Sequence, residues 1–303
     1  MRALATTSLD GLRPFHRGKV RDVYEVDDDH LLLVATDRIS AFDHILPDPV
    51  PGKGIVLTQL SLFWFSYLGT SVEHQIVETD PRRMPDAVKR HADLLRGRSV
   101  LVKKANVHPF ECIVRGFLLG SGWKDYRATG RLCGIELPAG LRKNAEFKPP
   151  LFTPSTKAKA GHDENVSFER MEHELGSALA AELRDKSLLV YTRCADHARS
   201  RGIVICDTKL EWGDRRGKTL LVDEVLTPDS SRFWKASDAA AHLPDGDPPS
   251  YDKQVVRNWL ETQPWDKQSP PPRIPADVQA LAQARYVEIY ETIVGRSVPE
   301  LDG

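Results

Sequence analysis

Three charged residues alternate along one apolar stretch, Ile203-Val-Ile-Cys-Asp-Thr-Lys-Leu-Glu-Trp212. Successive side chains of a strand point to opposite faces, so Asp207, Lys209 and Glu211 share one face, roughly 6.7 Å apart per step. Cys206, Thr208, Leu210 and Trp212 then share the other face. Three charges on one face of a central strand are costly unless that face lines a wet or metal-loaded cleft. The next run, Leu220-Leu-Val-Asp-Glu-Val225, brings Asp223 and Glu224. With a turn centred near Arg215-Arg216, Asp223 falls across from Lys209 or beside it. Glu211 and Asp223 would then meet over one site with a lysine between them. Hard oxygen donors at that spacing suit Mg²⁺, which keeps several waters and bridges phosphates. The plainer alternative is an exposed hairpin carrying surface ion pairs.

Four other stretches could act on the same substrates. In Gly18-Lys-Val-Arg-Asp-Val-Tyr24, a glycine opens a strand that places Lys19 and Arg21 on one face. Backbone amides and cations so arranged can cover phosphates. No Walker A loop is present: Gly52-Lys53-Gly54 lacks both the earlier glycine and the following Ser or Thr. No G-x-G-x-x-G occurs either, which disfavours a P-loop or Rossmann site. Arg115 ends an apolar strand and is followed by Gly120-Ser121-Gly122, whose amides and hydroxyl can turn toward an anion. Pairing of Arg115 with an acidic neighbour is the alternative. Thr153-Pro-Ser-Thr-Lys157 and His162-Asp-Glu-Asn165 form a dense polar loop, fit for a ligand or simply solvated. His162 has no second His or Cys at metal-ligand spacing. In Thr227-Pro-Asp-Ser-Ser-Arg-Phe-Trp234, Asp229, Ser231 and Arg232 could grip a sugar phosphate, with Phe233 and Trp234 packing.

The elements that must position these residues follow from periodicity. The first 35 residues read as a hairpin, Lys19 to Val26 and Leu31 to Ala35 around Asp27-Asp28-Asp29. A helix lies within Leu57 to Leu68, with Leu60, Phe63, Trp64, Tyr67 and Leu68 on one face. Val100 to Ala105 and Glu111 to Arg115 read as strands joined by a short turn. Pro138 to Asn165 shows little periodicity and reads as a long loop or crossover. Phe168, Met171, Leu175 and Leu179 mark one helix; Leu188, Tyr191, Cys194 and Ala198 mark another, stopping near Gly202. Thr219 to Val225 is a strand after the turn Gly213 to Lys218. Leu243 to Ser250 and Gln263 to Pro275 are Pro-rich and should wrap the surface. A last helix runs from about Ala276 to Val294, with Val278, Leu281, Ile289 and Ile293 inward and Gly295 ending it. Strands, then helices, then strands again imply an α+β fold with at least two antiparallel sheets.

Composition bounds the rest. With 303 residues, 42 Lys plus Arg and 43 Asp plus Glu, the net charge is −1, which argues against a nucleic-acid or anionic-membrane binder. The longest apolar run, Leu31 to Ala35, cannot span a bilayer, and the first residues lack a signal-peptide core. Cys112, Cys133, Cys194 and Cys206 form no C-x-x-C pair and read as small buried hydrophobes of a cytosolic protein.

Taken together, these stretches resemble the SAICAR synthetase family. The resemblance rests on GKVRDVY, ATDRISAFD (Ala35 to Asp43), PGKGIVLTQLSLFWF, ECIVRGFLLGSGWKDY, FTPSTKAKAGHDEN, CDTKLEWG, VDEVLTPDSSRFW and PSYDKQVVRNWL, in order from Gly18 to about Leu260. It is similar to the longer, roughly 300-residue form of that family. The resemblance implies two α+β subdomains, residues 1–110 and 111–303, with ATP between them. The N-terminal part would resemble the small lobe of protein kinases, in an ATP-grasp-like whole. It implies a monomer of the cytoplasm that joins carboxyaminoimidazole ribonucleotide to L-aspartate with ATP and Mg²⁺. By motif match, Gly18, Lys19 and Arg21 would cover the ATP phosphates, and Lys103, Lys104, Ala105 and Val107 would form the adenine hinge. Glu211 and Asp223 would hold Mg²⁺, with Lys209 neutralising the transferring phosphoryl group or the reacting carboxylate. Arg115, Ser121, Asp229 and Arg232 would bind the ribotide; Lys157, His162 and Asp163 would recognise aspartate. Asp37, Arg38 and Ser40 would line the same cleft, and Asp207 would either contact the substrate or stand behind the residues that do. The rival readings are an ATP-dependent small-molecule kinase and a non-catalytic nucleotide-binding module. No H-R-D-like loop supplies the base a kinase needs.

Overall fold

A computed structural model of the chain describes residues 3–157, 164–243, 246–251 and 253–301. Its N-terminal part holds β1 (Arg13–Arg17), β2 (Arg21–Glu25), β3 (His30–Ala35), β4 (Ser40–Ala41), β5 (His44–Ile45), α1 (Lys53–Leu68), β6 (Ile76–Glu78), α2 (Asp86–Lys89), α3 (Ala92–Leu95) and β7 (Ser99–Lys103). Five of these strands form one antiparallel sheet in the order β1-β2-β3-β7-β6. The hairpin expected over the first 35 residues is therefore one strand short. β1 is exposed throughout, so no burial pattern announces it. Alternation along β3 sends Leu32 and Val34 into a small core with Tyr24, Met84, Val88 and Leu95. Leu33 and Ala35 face the other way, toward α1.

α1 begins four residues before the periodic stripe suggests, at Lys53. Gly52 turns the chain in the left-handed region at φ 77, and Asp37 Oδ1 accepts the Gly54 N–H at 2.9 Å in place of a cap. Gly54 packs against backbone: a Cβ there would lie 2.4 Å from the Ala35 carbonyl oxygen. That oxygen belongs to a sheet and cannot retreat. Gly54→Ala is therefore expected to cost about 3 kcal/mol, seen as a lowered urea midpoint with the slope unchanged. An unaltered midpoint would contradict the close approach.

The second part holds β8 (Asn106–Val107), β9 (Phe110–Phe117), α4 (Gly120–Thr129), β10 (Arg131–Leu132), β11 (Ile135–Glu136), β12 (Glu146–Phe152), β13 (Ser155–Thr156), α5 (Phe168–Leu175), α6 (Ser177–Ser200), β14 (Ile203–Arg215), β15 (Lys218–Val222), β16 (Ser231–Lys235), α7 (Ala236–His242), α8 (Gln254–Glu261) and α9 (Ala276–Val294). β14 is the spine of a seven-stranded sheet, pairing antiparallel with β9, β15, β16 and β8. α6 lies on it, where Tyr191 OH donates to the Ile205 carbonyl at 2.6 Å. The main core joins this sheet to α1, α6 and α9, around the fully buried Trp64 and Trp212. The fold is α+β with two large antiparallel sheets and, among the described residues, two short two-stranded ones, β4-β5 and β10-β11, as the expected α+β class with at least two antiparallel sheets implies.

Several local expectations need correction. The strands at 99–103 and 110–117 belong to different sheets rather than to one pair. The segment 138–165 is not a plain loop: β12 and β13 within it pair with β9. β12 is an edge strand, where its two prolines need no ladder donor. Gly176, at φ 85, separates α5 from α6, so Leu179 belongs to the second helix. Cys206 sits at a bulge between Ile205 and Asp207, which breaks the alternation. It packs with Val204, Phe117 and Trp234, not with Leu210 and Trp212. In α9, Leu281 is 49% exposed; Ala282, Tyr286, Ile289, Tyr290 and Ile293 face the core. Burial pushes the Cys112 thiol up to about 12 and that of Cys133 to about 11, which fits inert packing residues.

Candidate active site

β14 presents its charges where the two sheets approach each other. Its hairpin with β15 turns at Arg216 and Gly217, both at positive φ, and Val222 lies opposite Glu211. Asp223 thus follows the end of β15 rather than lying across from Lys209. It adopts φ 64, a left-handed conformation that Asp tolerates better than most residues. This turn carries Asp223 toward the first sheet, where Arg21 Nη2 donates to its Oδ2 at 2.7 Å. Burial disfavours the charge on Arg21, but the fields of Asp223, Glu224 and Glu211 outweigh it and raise its pKa. Lys209 Nζ donates to Glu111 Oε1 at 2.5 Å. Burial lowers its pKa, yet Glu111, Glu211 and Asp223 raise it further, so Lys209 is a firm cation. Glu211 pairs with Lys157. Lys209 and Arg21 each lie in the field of both Glu211 and Asp223, which brings the two carboxylates to one region.

A cavity of about 280 Å³ opens beside them. Arg115, Ser121, Asp207, Lys209, Asp229 and Arg232 all line it. Arg115 is 1% exposed, and its Nη2 donates to Ser121 Oγ at 3.0 Å while its Nε donates to Thr153 Oγ1 at 3.0 Å. Asp207 takes both forks of Arg232, Nε at 3.0 Å and Nη2 at 2.5 Å, and Arg115 Nη1 stands 3.4 Å away. A buried carboxylate thus holds two guanidinium groups at the cavity wall. Gly120 at φ +60 makes room for them: a Cβ there would lie 2.4 Å from Arg232 Nη1.

A second, narrower cavity runs between the first sheet and α1. Val20, Arg21, Leu33, Val100, Phe65 and Asp223 are among its walls. Gly18 and Lys19 do not line it; Lys19 Nζ reaches out to Asp43 Oδ1 at 2.5 Å. The expected hinge does not line it either. The Lys103 N–H donates to the Gln75 carbonyl and that of Lys104 to the Asp29 carbonyl, both at 2.8 Å. Those amides are committed to the protein, which leaves Ala105 and Val107 of that segment. Asp37 and Arg38 lie beneath the cleft rather than on its surface. Asp37 is fully buried against Arg98, Leu4 N–H and Gly54 N–H. Arg38 donates to the Gly18 and Lys19 carbonyls and to Asp22, propping the β1–β2 turn from behind. Ser40 pairs with Ile45 and lines neither cavity. His162 and Asp163 lie outside the described residues.

Four residues at the site escape the reading from sequence. Glu111 shares a β9 face with Arg115, a period-2 signal that was legible. Lys253 and Arg257 line the larger cavity, four apart on the α8 side. Lys53 meets Asp229 across 176 residues, and no local pattern could reveal it.

Two antiparallel sheets meeting over paired carboxylates and clustered cations define an enzyme that handles anionic, phosphate-bearing substrates. A SAICAR synthetase family profile matches residues 14–272. Phosphoribosylaminoimidazole-succinocarboxamide synthase of Thermodesulfovibrio yellowstonii is 48% identical, over 95% of this chain and 97% of its own length. The enzyme of the same name from Chromobacterium violaceum is also 48% identical, over 95% and 100%. A solved SAICAR synthase from Saccharomyces cerevisiae, complexed with SAICAR, superposes with a TM-score of 0.88 at 40% identity, covering 98% of this chain and 100% of that one. A type-2 SAICAR synthetase in complex with ADP gives 0.68 at 25% identity, over 94% and 99%. The chain belongs to the SAICAR synthetase family.

Proposed function

We propose that the chain is the purine-biosynthetic ligase that joins the carboxylate of carboxyaminoimidazole ribonucleotide to the amine of L-aspartate, consuming ATP to ADP and phosphate. One observation carries the assignment of sites: Arg115, Ser121, Asp207, Lys209, Asp229 and Arg232 ring a single cavity next to Glu211 and Asp223. It works in the cytoplasm as a monomer. Among the described residues no helix is long and apolar enough to cross a membrane. Residues 1–110 bind the nucleotide and 111–303 bring the metal and substrate groups.

The chemistry sets the roles. A carboxylate is a poor electrophile, because an attacking amine would have to expel oxide. Its oxygen instead attacks the γ-phosphorus of ATP, ADP departs, and the acyl phosphate carries a good leaving group. The aspartate amine then attacks the carbonyl carbon, the C–O bond to phosphate breaks, and the amine loses a proton. Phosphoryl transfer needs charge neutralisation and alignment more than covalent help. Lys209 neutralises the reacting oxygens. Arg21, Lys19 and the Gly18 turn bind the ATP phosphates, with the base against Val20, Leu33 and Val100. Arg115, Ser121 and Arg232 hold the ribotide's anionic groups, and Asp229 takes its amino group. Lys157, His162 and Asp163 recognise aspartate.

Glu211 and Asp223 would hold Mg²⁺. Among the described residues no cluster of three or more His, Cys, Asp or Glu could cage a metal. Two carboxylates whose partners are the side chains of Lys157 and Arg21 fit an ion that takes its remaining ligands from water and phosphate. When bound, such an ion neutralises phosphate charge. The test is a phosphate-release assay with single omissions. Phosphate should appear only when ATP, ribotide and aspartate are all present. Release that ignores aspartate, or a phosphorylated product, would contradict the ligase reading.

A further inference from the structure

Lys53 opens α1, and its side chain is 0% exposed. Its Nζ donates to Asp229 Oδ2 at 2.6 Å and stands 5.8 Å from the Tyr286 ring centre. Lys53 does not line the ribotide cavity, whereas Asp229 does. The Asp229 side chain is only 3% exposed, and its Oδ1 accepts no well-aligned hydrogen bond. Lys253 Nζ stands 3.4 Å from that atom, and Lys253 itself lines the cavity. One oxygen of Asp229 is thus anchored from behind and the other is left for whatever fills the cavity. An ammonium buried this deeply is tolerated only against an ionised partner.

We propose that Lys53 is a positioning residue of the ribotide site, which keeps Asp229 ionised and turned so that Oδ1 accepts the substrate's amino N–H. The inference rests on the reading that Asp229 takes that amine. A carboxylate can only accept hydrogen bonds, so its ionised form matches an amine and rejects a second anion. Burial raises the Asp229 pKa, but Lys253 and Lys53 outweigh it and hold the group at about 2. The groups facing Asp229 are Lys53 from α1, Lys253 beside α8, and Glu224 from the loop after β15. Lys209, Arg232 and Arg257 stand across the cavity. Without Lys53, Lys253 alone opposes burial and the like charge of Glu224, and the Asp229 pKa rises. Ribotide binding would then weaken as pH falls through the raised pKa, while the wild type stays flat above its own.

The experiment compares Lys53→Met, Asp229→Asn and the double variant in the full chain, with ribotide and ATP varied separately. Lys53→Met should raise the ribotide KM about 30-fold, leave the ATP KM within about twofold, and give kcat/KM for ribotide a new acid limb. Lys53→Met added to Asp229→Asn should change the ribotide KM by less than about twofold, because its target is already neutral. Equal rises in both KM values, an unchanged pH profile, or additive effects would overturn the proposal. If Lys53→Met does not fold, Asp229→Asn against the double variant decides, since the double variant buries neither charge and in Asp229→Asn the buried Lys53, its pKa already lowered by burial, can shed its proton; a further rise in ribotide KM then refutes the role. Asp229→Asn that leaves the ribotide KM unchanged sinks the underlying placement of Asp229 instead.

Discussion

Asp223→Asn should lower kcat by about 10²- to 10³-fold while the protein stays folded. The substitution keeps the shape and removes only the charge. Asp223 is about one quarter exposed, at 26%, and its partner Arg21 also faces Glu224 at 3.6 Å, so the lost pair should cost under about 1 kcal/mol of stability. The large effect belongs to turnover. A neutral amide is a weak ligand for Mg²⁺ and leaves Arg21 with less opposing charge beside the triphosphate. Steady-state rates over a range of Mg²⁺, with a thermal melt, separate the two. Near-normal turnover with ordinary Mg²⁺ dependence would remove Asp223 from the metal site.

Arg232→Ala is the second. Its guanidinium grips Asp207 with two hydrogen bonds and lines the cavity proposed for the ribotide. Truncation removes a bidentate anion-binding group and leaves Asp207 leaning on Arg115 alone among its guanidinium partners. The ribotide KM should rise about 10²-fold and the ATP KM should change little. A similar rise in both would place Arg232 outside the ribotide site.

Much of this site was legible because it is built on strands. Alternation put Asp207, Lys209 and Glu211 on one face; Asp207 and Lys209 line the larger cavity, while Glu211 lines neither and lies in the field of Lys209. The position of Asp223 was not legible. It depends on register, which the turn at Arg216-Gly217 sets one residue later than the charge pattern suggested. The pairing of the Lys103 and Lys104 amides was not legible for a related reason: whether an amide is free depends on what pairs with it, and Gln75 and Asp29 are distant in sequence. Asp37 and Arg38 carry charge in a polar loop and looked like cleft residues. Their partners, Arg98 and Asp22, turn them into buried supports for α1 and the β1–β2 turn. Lys53 is the reverse case, a lysine in a glycine-flanked turn that looked like a failed phosphate loop. Its partner, Asp229, lies in the turn before β16, 176 residues away.

The account's central claim is that the ribotide carboxylate is phosphorylated before the amine attacks. Ribotide carrying ¹⁸O in its carboxylate tests this directly. When the acyl phosphate forms and collapses, one carboxylate oxygen leaves with the phosphoryl group. Mass spectrometry of the released phosphate should therefore find one ¹⁸O per turnover, with one retained in the product amide. Phosphate free of label would mean that ATP is cleaved by water and that the carboxylate is never activated in this cleft.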